Sequence, residues 1–298
     1  MLTDAVRIDR FCPCPYDHAS REAALLRRRV LSPLSTHNRR PPDRRGKFGM
    51  LAIVSDIHGN LEAFSTVLEE IDRRGIENIL CLGDVVGYGP NPMECLDLVR
   101  QRCKVSLMGN HDFAVFYEPF NFNSGAESAC YWTRAQFEND PDLERRADRW
   151  RFLGNLPVRV RTNEFVAVHA SPRRPVNEYI FPDDIYTNPT KFVSIFERFE
   201  RLCFVGHTHV PGVFLEGPDF YSPDELDYKF ELTDEKAIIN VGSVGQPRDR
   251  DPRSSFVVVS ESAIEFVRLP YDVDTTVRKV EQIDELDNFL GTRLLDGR

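Results

Sequence analysis

Met50-Leu51-Ala52-Ile53-Val54-Ser55-Asp56-Ile57-His58-Gly59-Asn60 begins as an apolar run and ends in polar side chains around a glycine. The run is short and apolar, the signature of a buried strand. Behind it Leu61, Phe64, Val67, Leu68 and Ile71 recur at helical spacing, with Asn60 placed to cap the helix and Gly75 to stop it. Asn78–Leu82 reads as a second strand, Pro92–Arg102 as a helix with proline in its first turn, and Lys104–Met108 as a third strand. This βαβαβ opening predicts a largely parallel arrangement for the first sheet.

Further along, Gly125–Arg151 reads as one or two helices interrupted near Pro141. Strands then dominate: Phe165–His169, Leu202–Val205, Gly212–Leu215, Tyr228–Leu232, Ala237–Val241, Ser255–Ser260 and Ala263–Arg268. A polar helix from Asp274 to Leu295 closes the chain. Two packed sheets with helices outside bury all these apolar faces economically.

Five segments share one placement. Ser55-Asp56-Ile57-His58-Gly59-Asn60, Gly83-Asp84, Gly109-Asn110-His111-Asp112, Val168-His169 and Gly206-His207-Thr208-His209 each put polar side chains just after an apolar strand. Loops at the carboxyl ends of parallel strands meet in one crevice. Five of the seven histidines fall inside these segments. Asp56-Ile57-His58 alone says little, since an Asp two residues from a His is common on any surface. Asp84 alone could be a turn residue, and His169 alone an ordinary half-buried histidine. Their joint order at strand ends is what carries meaning.

Imidazole, carboxylate and amide donors suit Mn, Fe, Zn, Ni or Co, with Mn the expected ion in vitro. Two such ions ~3.5–4 Å apart need a shared ligand, and Asp84 is the natural bridge. Asp56 and His58 would hold one ion, Asn110 and His169 the other, with His207 and His209 divided between them. Two cations so placed lower the pKa of a bridging water and present hydroxide to a phosphate ester.

The same segments resemble the calcineurin-like metallophosphoesterases, whose blocks read D-x-H, G-D, G-N-H-D/E, H and G-H-x-H. The resemblance spans Met50 to Arg298 and implies a four-layer α/β/β/α sandwich with two mixed sheets and a dinuclear centre. It assigns Asp56, His58 and His209 to the first metal, Asp84 to the bridge, and Asn110, His169 and His207 to the second. His111 becomes the catalytic histidine, expected as an imidazolium, and Asp112 the residue that orients it.

Gly87-Tyr88-Gly89-Pro90-Asn91-Pro92, Ser171-Pro172-Arg173 and Asn240 to Asp249 look like the small bacterial and archaeal phosphodiesterase-like branch. Gly83 to Gly89 lacks the arginine of the G-D-x-x-D-R-G block in the protein-phosphatase branch, which argues against phosphoproteins. Arg173 and Arg248 are candidate phosphate clamps, because guanidinium offers paired donors to phosphate oxygens. The expected activity is hydrolysis of a small-molecule or nucleotide phosphodiester or phosphomonoester. Alternatives are a Ser/Thr protein phosphatase or nuclease of the same superfamily, or a catalytically silent scaffold. A scaffold would be expected to lose His111 or several ligands, and all are present.

Charge narrows the partners. Residues 1–49 hold 11 Lys/Arg and 5 Asp/Glu, or +6, so the remainder of a −9 chain carries −15. An acidic body lacks the clustered basic residues of an extended nucleic-acid groove. No apolar run approaches the ~20 residues of a membrane span. Residues 1–48, with Cys12-Pro13-Cys14-Pro15 and Arg27-Arg28-Arg29, read as a basic, disordered and dispensable tail before a domain at 49–298. Seven scattered cysteines fit a reducing, cytoplasmic setting. Oligomeric state is left open.

Overall fold

The computed structural model describes residues 7–10 and 49–298. Its elements in chain order are β1 (Arg7–Arg10), β2 (Leu51–Val54), α1 (Leu61–Arg73), β3 (Asn78–Cys81), α2 (Pro92–Arg102), β4 (Val105–Ser106) and α3 (Asn110–Phe116). Next come α4 (Ser124–Glu138), α5 (Leu143–Gly154), β5 (Pro157–Arg161), β6 (Phe165–Val168), α6 (Asp184–Thr187) and α7 (Pro189–Phe196). Strands β7 (Leu202–Val205), β8 (Gly212–Leu215), β9 (Asp219–Tyr221), β10 (Lys229–Glu231), β11 (Ala237–Asn240), β12 (Ser254–Val259) and β13 (Ala263–Leu269) follow. Helices α8 (Val273–Glu281) and α9 (Phe289–Thr292) come last, before a 3-10 turn at Arg293–Asp296.

Two mixed sheets result, in the orders β10-β13-β12-β2-β3-β4 and β1-β5-β6-β7-β11-β8-β9. In the first, β2, β3 and β4 run parallel, as the βαβαβ pattern predicts, while β12 joins β2 antiparallel. In the second, β6, β7 and β11 are parallel.

Alternation along the strands makes the layers. Ile53, Leu80, Leu202, Phe204, Ile239 and Val257 point between the sheets into one shared cluster. Their neighbours Ala52, Val54 and Cys81 face α1 and α2 through Phe64, Val67 and Val99. Cys203, Val205 and Ile238 face α7 through Phe192, Ile195 and Phe196. At ~1.5–3 kcal/mol per fully buried large apolar side chain, these layers outweigh surface ion pairs. The sandwich is therefore α/β/β/α, as expected.

Local signals behave as read. Asn60 Oδ1 accepts from Ala63 N at 3.1 Å, capping α1. Gly75, at φ +67°, ends the helix in a conformation few other residues adopt. Two helices flank Pro141. Differences are α3, β5, α6, α7 and β9, which the sequence reading lacks, and the closing helix, which breaks after Glu281. Residues 7–10 pair antiparallel with β5 at the edge of the larger sheet, Ile8 opposite Val160. The remainder of the expected tail, Cys12 and Cys14 included, lies outside the described residues.

Candidate metal centre and active site

The strand ends place the five polar segments side by side. After β2 and β3 the chain turns twice in register: Asp56 N donates to Gly83 O at 3.0 Å, and His58 N to Asp84 O at 3.0 Å. Across the sandwich, Gly206 N donates to His169 O at 2.8 Å. Val244 N and Gly245 N donate to Ser55 O and Asp56 O, each at 3.0 Å, and so tie the 240–246 loop beneath the site.

Left-handed backbone recurs at five of the seven expected ligand positions. Asp56, His58, Asp84, His207 and His209 have φ of +55°, +49°, +52°, +65° and +61°. Such residues cost of order 1–3 kcal/mol each and persist where the surroundings over-determine them. Gly109 has a separate reason to be glycine: a Cβ there would collide with the Asp84 carboxylate and backbone N.

All seven expected ligands converge. His58 Nε2 lies 3.2 Å from His209 Nε2, and His209 Nε2 lies 3.2 Å from Asp56 Oδ1. His169 Nε2 lies 3.2 Å from both Asn110 Oδ1 and His207 Nδ1. Between the groups stands Asp84, whose Oδ2 is 3.3 Å from His169 Nε2 and 3.7 Å from His58 Nε2. Among the described residues three triads thus gather, Asp56-His58-His209, His58-Asp84-His111 and Asp84-His169-His207, each with ligand atoms within 4.8 Å of one another.

These residues fit divalent cations. Asp56 Oδ1, which faces the centre, is buried without a well-aligned hydrogen-bond partner. Facing ring nitrogens 3.2 Å apart match neighbouring ligands of one ion, given metal–nitrogen bonds of ~2.0–2.1 Å. Outer contacts fix the rings: His58 Nδ1 meets Val86 O at 3.2 Å and His209 Nδ1 meets Gln246 O at 2.5 Å, directing each Nε2 inward.

Electrostatics follow the same division. Burial alone would lower the His169 pKa, but the adjacent Asp84 carboxylate overrides it and raises it to about 9. Burial, reinforced by His169, pushes His207 down to about 3. Asp84 is held well below the usual carboxylate range: burial opposes this, but His169 and His111 outweigh it.

His111 sits at the second residue of α3, with its backbone N donating to Asp84 Oδ1 at 2.8 Å. Its ring packs among His58, Tyr88 and Phe122, and Nδ1 is 3.7 Å from Cys130 Sγ. Burial pushes its pKa down to about 4, against the opposing Asp84 carboxylate.

Asp112 needs correction. Its carboxylate serves the backbone rather than the His111 ring: Oδ2 accepts from Asp84 N at 2.8 Å and Gly109 N at 3.0 Å, and Oδ1 from Val85 N at 3.0 Å and Val86 N at 3.3 Å. It anchors the turn that carries Asp84.

The two arginines separate. Arg173 is committed to Glu178, its Nε 3.1 Å from both carboxylate oxygens. Arg248 bonds Gln246 Oε1 at 2.6 Å and lies over the Tyr88 ring at 5.8 Å, close to the centre. Sequence reasoning missed Tyr179, whose ring stacks on His207 with centroids 3.9 Å apart and planes at 23°. It also missed Asn240, which donates to Gly206 O at 2.9 Å and Thr208 Oγ1 at 2.7 Å and holds the G-H-T-H turn.

A two-sheet sandwich with a histidine–aspartate centre at its strand ends defines a metallophosphoesterase fold. The calcineurin-like phosphoesterase family model matches residues 50–211, and the chain belongs to that family. It is 38% identical over 258 residues to an uncharacterised protein, MJ0912, of Methanocaldococcus jannaschii, covering 84% of this chain and 98% of that protein. The crystal structure of a metallophosphoesterase from Sphaerobacter thermophilus is similar, with 35% identity, TM-score 0.69, and coverage of 84% of this chain and 99% of that one. A hypothetical protein from Pyrococcus horikoshii, PH1004, shares the fold at 17% identity and TM-score 0.63, over 84% of this chain and 98% of that one.

Proposed function

We propose that this chain is a dinuclear, divalent-metal-dependent hydrolase of phosphate esters, acting on a diester or monoester of a small molecule or nucleotide. The observation that carries the reading is the position of Asp84 Oδ2, within 3.3 Å of His169 and 3.7 Å of His58, between the two ligand groups. Asp56, His58 and His209 would hold one ion and Asn110, His169 and His207 the other, with Asp84 shared. When bound, such ions activate water and neutralise charge on the phosphate oxygens; Mn is the expected choice in vitro.

The chain's own groups do the remainder. His111, fixed through its backbone to Asp84, offers a ring N–H to charge that develops on the departing oxygen. Arg248 is placed to grip a phosphate oxygen, since it is bonded to an amide and not to a carboxylate. Asp112 keeps the Asp84 turn from relaxing.

A cytoplasmic setting belongs to the same reading, supported by free thiols at Cys81, Cys95, Cys103, Cys130 and Cys203. Among the described residues no helix is long and apolar enough to cross a membrane. The test is a side-by-side assay of an aryl phosphate monoester and a diester, with Mn²⁺ and with chelator. Mn²⁺-dependent release of the aryl group supports the proposal. Inertness toward both esters with Mn²⁺ overturns it.

A further inference from the structure

Tyr179 and Phe181 form an aromatic stack that begins on a metal-centre histidine and ends in solvent. The Tyr179 ring lies against His207 at 3.9 Å, and the Phe181 ring runs parallel to Tyr179, at 8° with centroids 5.2 Å apart. Both stay open, 42% and 44% exposed, and exposed apolar surface beside a polar site marks a place where a ligand can sit.

The loop that presents them is held firmly. Glu178, next to Tyr179, takes both the Ser171 hydroxyl and the Arg173 guanidinium, and Ala170 N donates to Pro175 O at 2.8 Å. Arg173 is therefore a brace for the aromatic loop. Arg248 lies over the Tyr88 ring at 5.8 Å, on the same centre.

Resting on the phosphoesterase reading, we infer that this stack is a subsite for the nucleobase of a nucleoside phosphate whose phosphate occupies the His207 side of the centre. A base offers a flat π-face to continue the stack. An alkyl or sugar alcohol offers none. Stacking on aromatic side chains tolerates any base, so the subsite selects nucleotides as a class.

The test is calorimetric titration of the Mn²⁺-loaded full chain with adenosine monophosphate and, separately, ribose 5-phosphate. The expected result is at least ~10-fold tighter binding of the nucleotide, the scale of one base stacked on protein rings. Tyr179→Ala and Phe181→Ala shrink that ratio, while Tyr179→Phe keeps it. Phe181→Ala matters most, because this ring is stacked on Tyr179 one layer away from His207, so its loss leaves the centre assembled. Equal affinity for the two probes overturns the subsite and leaves the phosphate site standing. A ratio unaltered in both alanine variants also overturns it. Failure of both probes to bind overturns the subsite, while the phosphoesterase reading is decided separately by the aryl monoester and diester assay.

Discussion

Asp112 Oδ2 accepts the backbone N–H of Asp84 at 2.8 Å, so one buried carboxylate positions the other. Four backbone N–H groups end on Asp112, drawn from both the Gly83–Val86 turn and the start of α3. Replacing it by alanine leaves those buried donors unmet, at ~1–3 kcal/mol for each. Asp112→Ala is therefore expected to lose at least ~3 kcal/mol in urea unfolding and to bind metal poorly. Wild-type stability with full metal content would refute the anchoring role.

His111 differs in kind. It touches the centre through its ring, and its removal leaves the seven ligands in place. His111→Ala is expected to lower turnover by ~10²-fold or more while metal content stays at the wild-type level. Unchanged turnover would take His111 out of the chemistry.

The arginines give a contrast. Arg248→Ala is expected to raise KM ~10-fold or more, since a charge-assisted hydrogen bond is worth ~1.5–3 kcal/mol. Arg173→Ala frees Glu178 and loosens the Tyr179 loop, so it is expected to lower the melting temperature and to disturb KM less. Steady-state kinetics and thermal melts on both variants check the division. A larger KM effect at Arg173 reverses the assignment.

Much of this was legible because strand ends announce themselves. Apolar runs such as Leu51–Val54 and Leu202–Val205 stop at polar residues and glycines, and the ligands follow directly. Helix α7 was hidden: Phe192, Ile195 and Phe196 have helical spacing, but the eight residues from Pro189 to Phe196 give too short a window to read. Strand β5 was masked by Arg159 and Arg161 alternating with its valines. In the break after Glu281, Asp287 Oδ1 takes the Phe289 N–H at 2.9 Å, a local side-chain bond that competes with helix. Asp112 was visible as a motif residue, but its partners are main-chain groups up to 28 residues away, which no side-chain pattern reports. Tyr179 depends on the path of a loop, which spacing does not encode.

Acid should find a weakness far from the centre. Glu70, bonded to Arg73 and Arg74, has its pKa lowered from 4.5 to about 2, chiefly by the Arg73 hydrogen bond. A depressed folded pKa means that the stabilisation is present above the ordinary carboxylate value and is lost as pH falls toward 2. Glu70→Gln is expected to cost ~0.5–1 kcal/mol at pH 7, after solvent screening, and almost nothing near pH 2. Denaturant unfolding at both pH values reads the difference; a constant gap would reject the linkage.

The central claim is that these side chains grip two cations around Asp84. Elemental analysis of Mn²⁺-reconstituted, desalted protein tests it most directly, on the wild-type chain beside Asp84→Ala. Two equivalents of metal per chain, falling to one or fewer in the variant, are expected. Full occupancy without the Asp84 carboxylate, or a wild-type chain that retains no metal, would contradict the account.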